Sequence, residues 1–217
     1  MRKISLYVST VLLVAVLSGC GVASRTIATR AVSEKSDVFT EVAGTDMAPS
    51  GYTDVLITAN IKTHLENFYL GESKTSAHGK EVYPFLINID GQAVLWTVEG
   101  TKHELPKYVD GKTSYDPEAG VGIKYIFSKK IRLRAGFHKL FFGLPEDDYY
   151  REVIINVKEG ERQVLEFMPV YKYKTYPTRI PTFMHGVSYY DILVNGNPRS
   201  RLDADGPLPD KETWTLQ

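Results

Sequence analysis

The sequence has only one cysteine, Cys20, among its 217 residues. A single thiol cannot close a disulfide within the chain, and it cannot supply the cysteine clusters of structural zinc sites. A chain of this length buries enough surface to fold without disulfides or structural metal ions. The lone cysteine therefore calls for an explanation other than stability.

The sequence also has no excess of charge of either sign, since 26 basic side chains balance 26 acidic ones. A chain with this balance lacks the excess of positive charge that is typical of nucleic-acid-binding proteins. We therefore exclude nucleic acid as a partner. The chain contains no G-x-S-x-G, P-loop or G-x-G-x-x-G motif, so the common nucleophile, phosphate and dinucleotide signatures are missing. We therefore predict a non-enzymatic protein with no cofactor and no catalytic residue.

Metal-binding motifs are missing as well. No two of the five histidines stand at a metal-ligand spacing, so no metal site is predicted. Glu146–Asp148 follow Pro145 and are expected to form a solvated acidic turn, and His138 is expected to be a half-buried strand residue. Asp203–Gly206 begin like a calcium loop, but the later ligands of that motif do not follow. The five histidines are His64, His78, His103, His138 and His185.

The residues that precede Cys20 explain it. Arg2 and Lys3 are followed by an apolar run over 4–17, which at about 14 residues is shorter than the roughly 20 that span a bilayer. Leu17-Ser18-Gly19-Cys20 resembles the bacterial lipobox, which implies a signal peptide over 1–19 and lipidation of Cys20. The alternatives are an uncleaved membrane helix and an ordinary signal peptide with a chance cysteine. Gly21, in place of an aspartate, resembles an outer-membrane address in the bacterial envelope.

The pattern after the cysteine changes from polar to alternating. Residues 20–51 are small and polar and predict a flexible tether, with a hidden strand over 37–42 as the alternative. The segment 54–62 alternates like a strand. The segment 83–99 predicts a hairpin that turns at Asp90-Gly91. The polar insertion 99–122 is too long for a hairpin loop and is predicted to be functional or disordered.

Closely spaced strands fill the rest of the chain. Short alternating segments separated by Gly and Pro turns run from 123 to 171, and one more strand is expected over 186–195. Such spacing is typical of a β-sandwich or barrel. We therefore predict an all-β fold, an antiparallel β-sandwich over 52–195 on the tether, followed by an extended or disordered tail over 196–217.

Three stretches resemble a PEGA-type domain, a small transthyretin-like β-sandwich of bacterial surfaces. They are INIDGQAV at 87–94, RLRAGFHKLFF at 132–142 and EDDYYREVIINVKEGERQVLEF at 146–167. The resemblance covers about residues 83–171 and rests on turn glycines and alternation. The insertion 99–122 divides the unit, Asp148-Tyr149 stand where the family has Gly-Tyr, and the Pro-Glu-Gly-Ala string is absent. The resemblance implies the fold and no catalytic site.

Tyrosines interleaved with lysines form the candidate interaction site. On a strand, Tyr171 and Tyr173 would share one face, and Lys172 and Lys174 the other. Such a surface suits a glycan or a protein partner, whereas the alternative is an edge strand whose tyrosines pack on the core. Tyr149-Tyr150 have the same two interpretations.

Three functions follow from these features. The first is an envelope lipoprotein that is held at the membrane by Cys20 and acts as a protein-interaction or assembly module. The second is a glycan- or peptidoglycan-binding module that uses exposed tyrosines. The third is an enzyme in which Glu104 and Asp110 of the insertion converge with Glu146–Asp148.

Overall fold

The computed structural model of the protein describes residues 21–44, 47–174, 180–198 and 213–215. Strands account for 54% of the structure and one α-helix is present in the described part, which confirms the predicted all-β class. The helix α1 spans Val22–Arg30 and two 3-10 helices span Pro145–Asp147 and Thr182–His185. The strands are β1 Phe39–Glu41, β2 Tyr52–Thr63, β3 Val82–Ile89, β4 Gln92–Leu105, β5 Tyr108–Val109, β6 Lys112–Thr113, β7 Gly120–Arg134, β8 Gly136–Leu144, β9 Tyr149–Val157, β10 Gln163–Tyr171, β11 Val187–Val194, β12 Asn197–Pro198 and β13 Thr213–Thr215.

Eleven of the strands form one large sheet that curls nearly into a barrel. Its order is β12-β11-β10-β2-β7-β4-β3-β8-β9-β13, and β1 pairs with β7 beside this path. Neighbours are antiparallel except β10 with β2 and β13 with β9. Near the two ends of the sheet, the backbone N–H of Tyr190 in β11 donates to the Tyr149 hydroxyl in β9 over 2.9 Å.

One long strand joins the two halves of the sheet, which the sequence predicts as two separate layers. β4 pairs with β3 up to Glu99 and with β7 from Gly100 onward. A Cβ at Gly100 would lie 2.4 Å from the Ile123 side chain and 2.5 Å from the Tyr125 ring. A glycine inside a strand commonly marks such a bend or close approach. The close packing at Gly100 therefore lets a single strand cross from one half to the other.

The core lies inside the curled sheet and follows the alternation of the strands. In β2, Val55, Ile57, Ala59 and Ile61 are buried and face the core, as the sequence predicts. Phe142 of β8 stacks on Phe167 of β10 with ring centroids 4.2 Å apart, so the two halves meet across the interior. Apolar burial of this kind is the main driving force for the fold.

The described part of the predicted tether is not free. In α1, Ile27 is buried in a small cluster with Leu86 and Phe141. In β1, Phe39 is buried in the main core, so the alternative of a strand near 37–42 is the one that the structure has. Each element docks through a single apolar side chain, which is why no hydrophobic period is visible in this stretch.

The predicted insertion 99–122 is ordered. Its first part continues β4, its middle forms the exposed β5–β6 hairpin, and its end begins β7. The tight turn at Asp90-Gly91 behaves as predicted, because both residues have positive φ. Of the predicted tail, 199–212 and 216–217 lie outside the described residues, and the backbone of 213–215 pairs with β9.

Candidate functional site

A half-open cavity of about 330 Å³ lies at one end of the curled sheet. Its walls are formed by the last residues of β2 with His64, the connection between β2 and β3, Tyr171 of β10, and the segment from Phe183 to Val187. We call the connection over residues 64–81 the β2–β3 loop. Asp147, at the end of the 3-10 helix between β8 and β9, also lines the cavity.

The β2–β3 loop is held in a compact shape by contacts to neighbouring strands. The Thr63 hydroxyl accepts a hydrogen bond from the Gly79 backbone N–H over 3.0 Å, and the Tyr125 hydroxyl donates to the Lys80 carbonyl over 2.7 Å. These contacts bring the end of the loop back to its start. The rings of His64 and His78 therefore meet edge to face, with centroids 5.2 Å apart.

Two histidines and two carboxylates converge on this part of the cavity. Oε1 of Glu72 lies 3.5 Å from Nε2 of His64 and 3.8 Å from Nδ1 of His78. On its far side, Nε2 of His78 lies 3.4 Å from Oδ2 of Asp147. The Nδ1–H of His64 donates to the Leu65 carbonyl over 2.9 Å, so that Nε2 of the same ring faces Glu72.

The electrostatics of this cluster favour a positive charge on His78. Burial by itself lowers the pKa of His78, but the hydrogen bond to Asp147 and the charges of Asp147, Glu72 and Glu146 outweigh it, so that the pKa is raised above 6.5. The Tyr83 hydroxyl donates a close hydrogen bond to Asp147. Burial and the Asp147 charge hold the pKa of Tyr83 well above its usual value, so it stays a donor.

A second polar network forms the back wall of the cavity. Lys62 is buried, and its ammonium donates to the carbonyls of Glu118 and Gly120 over 2.6 and 2.8 Å. Burial lowers the pKa of Lys62, against the opposing charge of Glu118. The Tyr171 hydroxyl accepts from the Lys62 backbone N–H over 2.8 Å and donates to the Glu118 carboxylate over 3.0 Å. These groups satisfy one another and fix the end of β2 that carries His64.

The predicted tyrosine and lysine surface is divided by the structure. β10 ends at Tyr171, whose side chain is 5% exposed, whereas the Tyr173 side chain is 80% exposed. Lys172 and Lys174 are exposed but lie beyond the strand. Tyr171 and Tyr173 therefore do not share an accessible face. Burial and the Glu118 charge raise the pKa of Tyr171.

The other predicted residues occupy packing positions or lie elsewhere. The half-buried Tyr149 accepts the backbone bond from β11 noted above, and Tyr150 stacks on Phe141 with centroids 5.2 Å apart. In the acidic turn Glu146–Asp148, Asp147 lines the cavity. Glu104 and Asp110 of the insertion do not contribute to the cavity wall. His138 is a buried strand residue whose Nδ1 lies 2.7 Å from the Asp90 carboxylate. Cys20 lies outside the described residues.

The residues that sequence reasoning missed are His64, Glu72 and His78. Their spacing fits no helix, strand or metal motif, because a folded loop sets their proximity. One signal was available, since a single connection carries two of the five histidines with two glutamates between them.

In comparisons with known proteins, no family model, no curated protein and no solved structure matches the chain. Among the described residues, no helix combines the length and the apolar character needed to cross a membrane.

Proposed function

We propose that this chain is a non-enzymatic lipoprotein of the bacterial envelope that is anchored through Cys20 and acts as a protein-interaction module. The observation that carries the proposal is an apolar rim beside the cavity, formed by Leu65, Phe68, Tyr69 and Leu70 of the β2–β3 loop. Each of these four side chains is exposed, and Leu70 is fully so. Contiguous exposed apolar side chains typically mark interaction surfaces.

The character of the apolar rim favours a protein partner over a glycan or a lipid surface. Aromatic side chains are enriched where proteins meet, and the rings of Phe68 and Tyr69 contact each other at 4.9 Å. The exposed carboxylate of Glu66 lies beside them in the sequence, which disfavours the anionic surface of a bilayer. The glycan alternative loses its stacking pair with the burial of Tyr171. A predominantly apolar protein surface fits the rim best.

Site-specific photo-crosslinking in the native cells tests this proposal. A photoreactive amino acid at Leu70 should yield one stoichiometric protein adduct, which Phe68→Asp should abolish. The matched control is Phe137, an apolar side chain near the start of β8 that is 62% exposed. Equal adducts from both positions, or recovery of wall glycan or lipid alone from Leu70, would overturn the protein-partner proposal.

The anchor has a separate readout. Cells fed labelled palmitate should label the wild-type chain and not Cys20→Ser, and the variant should leave the membrane fraction because its two-signal lipid anchor is lost. Label retained in Cys20→Ser would refute lipidation at this residue.

A further inference from the structure

We propose that His64, Glu72 and His78 bind a divalent transition metal ion, with Zn²⁺ as the best match. One ligand atom from each side chain lies within 4.8 Å of the other two. Zinc bonds of about 2.0–2.2 Å place tetrahedral ligands roughly 3.3–3.6 Å apart. The separations from Glu72 to the two imidazoles, 3.5 and 3.8 Å, are already close to that value.

The orientation of both imidazoles supports the metal site more strongly than their proximity does. A metal-bound histidine normally donates its other ring N–H to a carbonyl or carboxylate, which fixes the ring. His64 has this arrangement, with Nδ1 on the Leu65 carbonyl and Nε2 turned to Glu72. In His78 the two ring nitrogens exchange these roles, with Nε2 toward Asp147 and Nδ1 toward Glu72.

The outer contacts of the carboxylates complete this arrangement. The Ser76 hydroxyl donates to Oε1 of Glu72 over 2.8 Å, and the Tyr83 hydroxyl donates to Asp147. Asp147 therefore acts as a positioning residue that orients His78. An ion-pair cluster does not require a hydrogen-bond partner on the second ring nitrogen of each imidazole. In a metal site, one ring nitrogen binds the metal and the other donates to such a partner.

The donor set restricts the class of metal. Two imidazoles and a carboxylate, without thiolate, suit Zn²⁺, Co²⁺ or Ni²⁺ better than Mg²⁺ or Ca²⁺, which prefer oxygen ligands alone. Three protein ligands leave one position of a tetrahedron for water or an external ligand. All three side chains line the cavity, so that position is accessible from it.

Spectroscopic titration of the full lipidated chain in detergent tests the site. After removal of metal with a chelator, Co²⁺ should bind at one equivalent with the visible d–d absorption of a tetrahedral ion, and Zn²⁺ should abolish the absorption. Glu72→Gln and His78→Gln should each weaken binding at least tenfold. Asp147→Asn should weaken it about 10–100-fold, as loss of an outer partner does.

The matched control is Glu66→Gln, an exposed carboxylate of the same loop that should bind Co²⁺ like the wild type. The metal-free melting temperature of every variant checks that it folds. Absence of the tetrahedral spectrum in the wild type, or equal binding by folded Glu72→Gln, would overturn the proposal. Neither result depends on the partner crosslinking at Leu70.

Discussion

Gly79 is the residue on which the geometry of the cavity depends most. It has a φ of +74°, and a Cβ there would lie 2.1 Å from the Glu66 nitrogen and 2.4 Å from the Leu65 carbonyl carbon. Both neighbours are backbone atoms, which cannot rotate away as a flexible side chain does. Glycine therefore allows the end of the β2–β3 loop to lie directly against its beginning, and it keeps His78 beside His64.

We expect Gly79→Ala to destabilise the fold and to weaken Co²⁺ binding. The left-handed backbone alone costs about 1–2 kcal/mol for a residue with a Cβ, and the clash must add to that cost by moving the loop. Gly71→Ala is the matched control, because Gly71 lies in the same loop at a φ of +85° with no atom within 4 Å of an added Cβ.

Urea unfolding and the Co²⁺ titration measure the two effects. Gly71→Ala should show the backbone cost and keep metal binding, whereas Gly79→Ala should lose stability and binding together. Equal losses in the two variants would mean that the close approach at Gly79 does not position His78.

At the scale of elements, β1 shows how a short strand is held in place by polar contacts. Glu41 accepts a 2.5 Å hydrogen bond from Lys129 of β7 and a 3.2 Å bond from the Trp96 indole of β4. The hydrogen bond from Lys129 is the main reason that the pKa of Glu41 is lowered below 4.5, against the opposing effect of burial. The ionised form of Glu41 is therefore the form that stabilises the docking of β1.

The pH dependence of stability tests this contact. Because the folded-state pKa is lowered, the contribution of Glu41 is complete above pH 4.5 and is lost as the pH falls through the folded-state pKa. Glu41→Gln should therefore be less stable than the wild type at about pH 7, and the difference should be smaller at about pH 3.

Urea unfolding of both proteins at the two pH values makes this measurement. The control is Glu161→Gln, which changes an exposed carboxylate just before β10 and leaves the contacts of Glu41 in place. A difference between Glu41→Gln and the wild type that is undiminished at the lower pH would refute ionisation as its cause.

Elements with a period were predictable from the sequence, and elements held by isolated contacts were not. The alternation of β2 and the turn at Asp90-Gly91 are local properties, and the structure confirms both. Ile27 and Phe39 are each the one buried side chain of their element, so no hydrophobic period predicts α1 or β1. The proximity of His64, Glu72 and His78 was not predictable either, because strand contacts at Thr63 and Tyr125 close the loop that carries them.

At the scale of the whole molecule, one core joins the two halves of the sheet. Phe142 belongs to the half that contains β8, and Phe167 to the half that contains β10. Their rings stack at 4.2 Å with an interplanar angle of 11°, and the Tyr190 ring of β11 contacts Phe142 at 5.0 Å. In the sheet path, β4 is the strand that connects the two halves, and it does so at Gly100. Contacts across the interior are therefore needed to keep the halves together.

We therefore expect Phe142→Ala to weaken both halves at once. Truncation of a fully buried phenylalanine costs about 3–5 kcal/mol, through lost burial and the cavity that it leaves. Phe137→Ala is the matched control, since it removes the same side chain from the same strand at a position that is 62% exposed, and its effect should stay within about 0.5 kcal/mol.

Hydrogen exchange measured alongside urea unfolding separates a shared core from two independent ones. In Phe142→Ala, amides of β10 and β2 should lose protection to the same extent as those of β8 and β3, because the stack supports both halves. Loss confined to β8 and β3 would mean that the two halves unfold independently, and that the continuity through β4 does not make the curled sheet one cooperative unit.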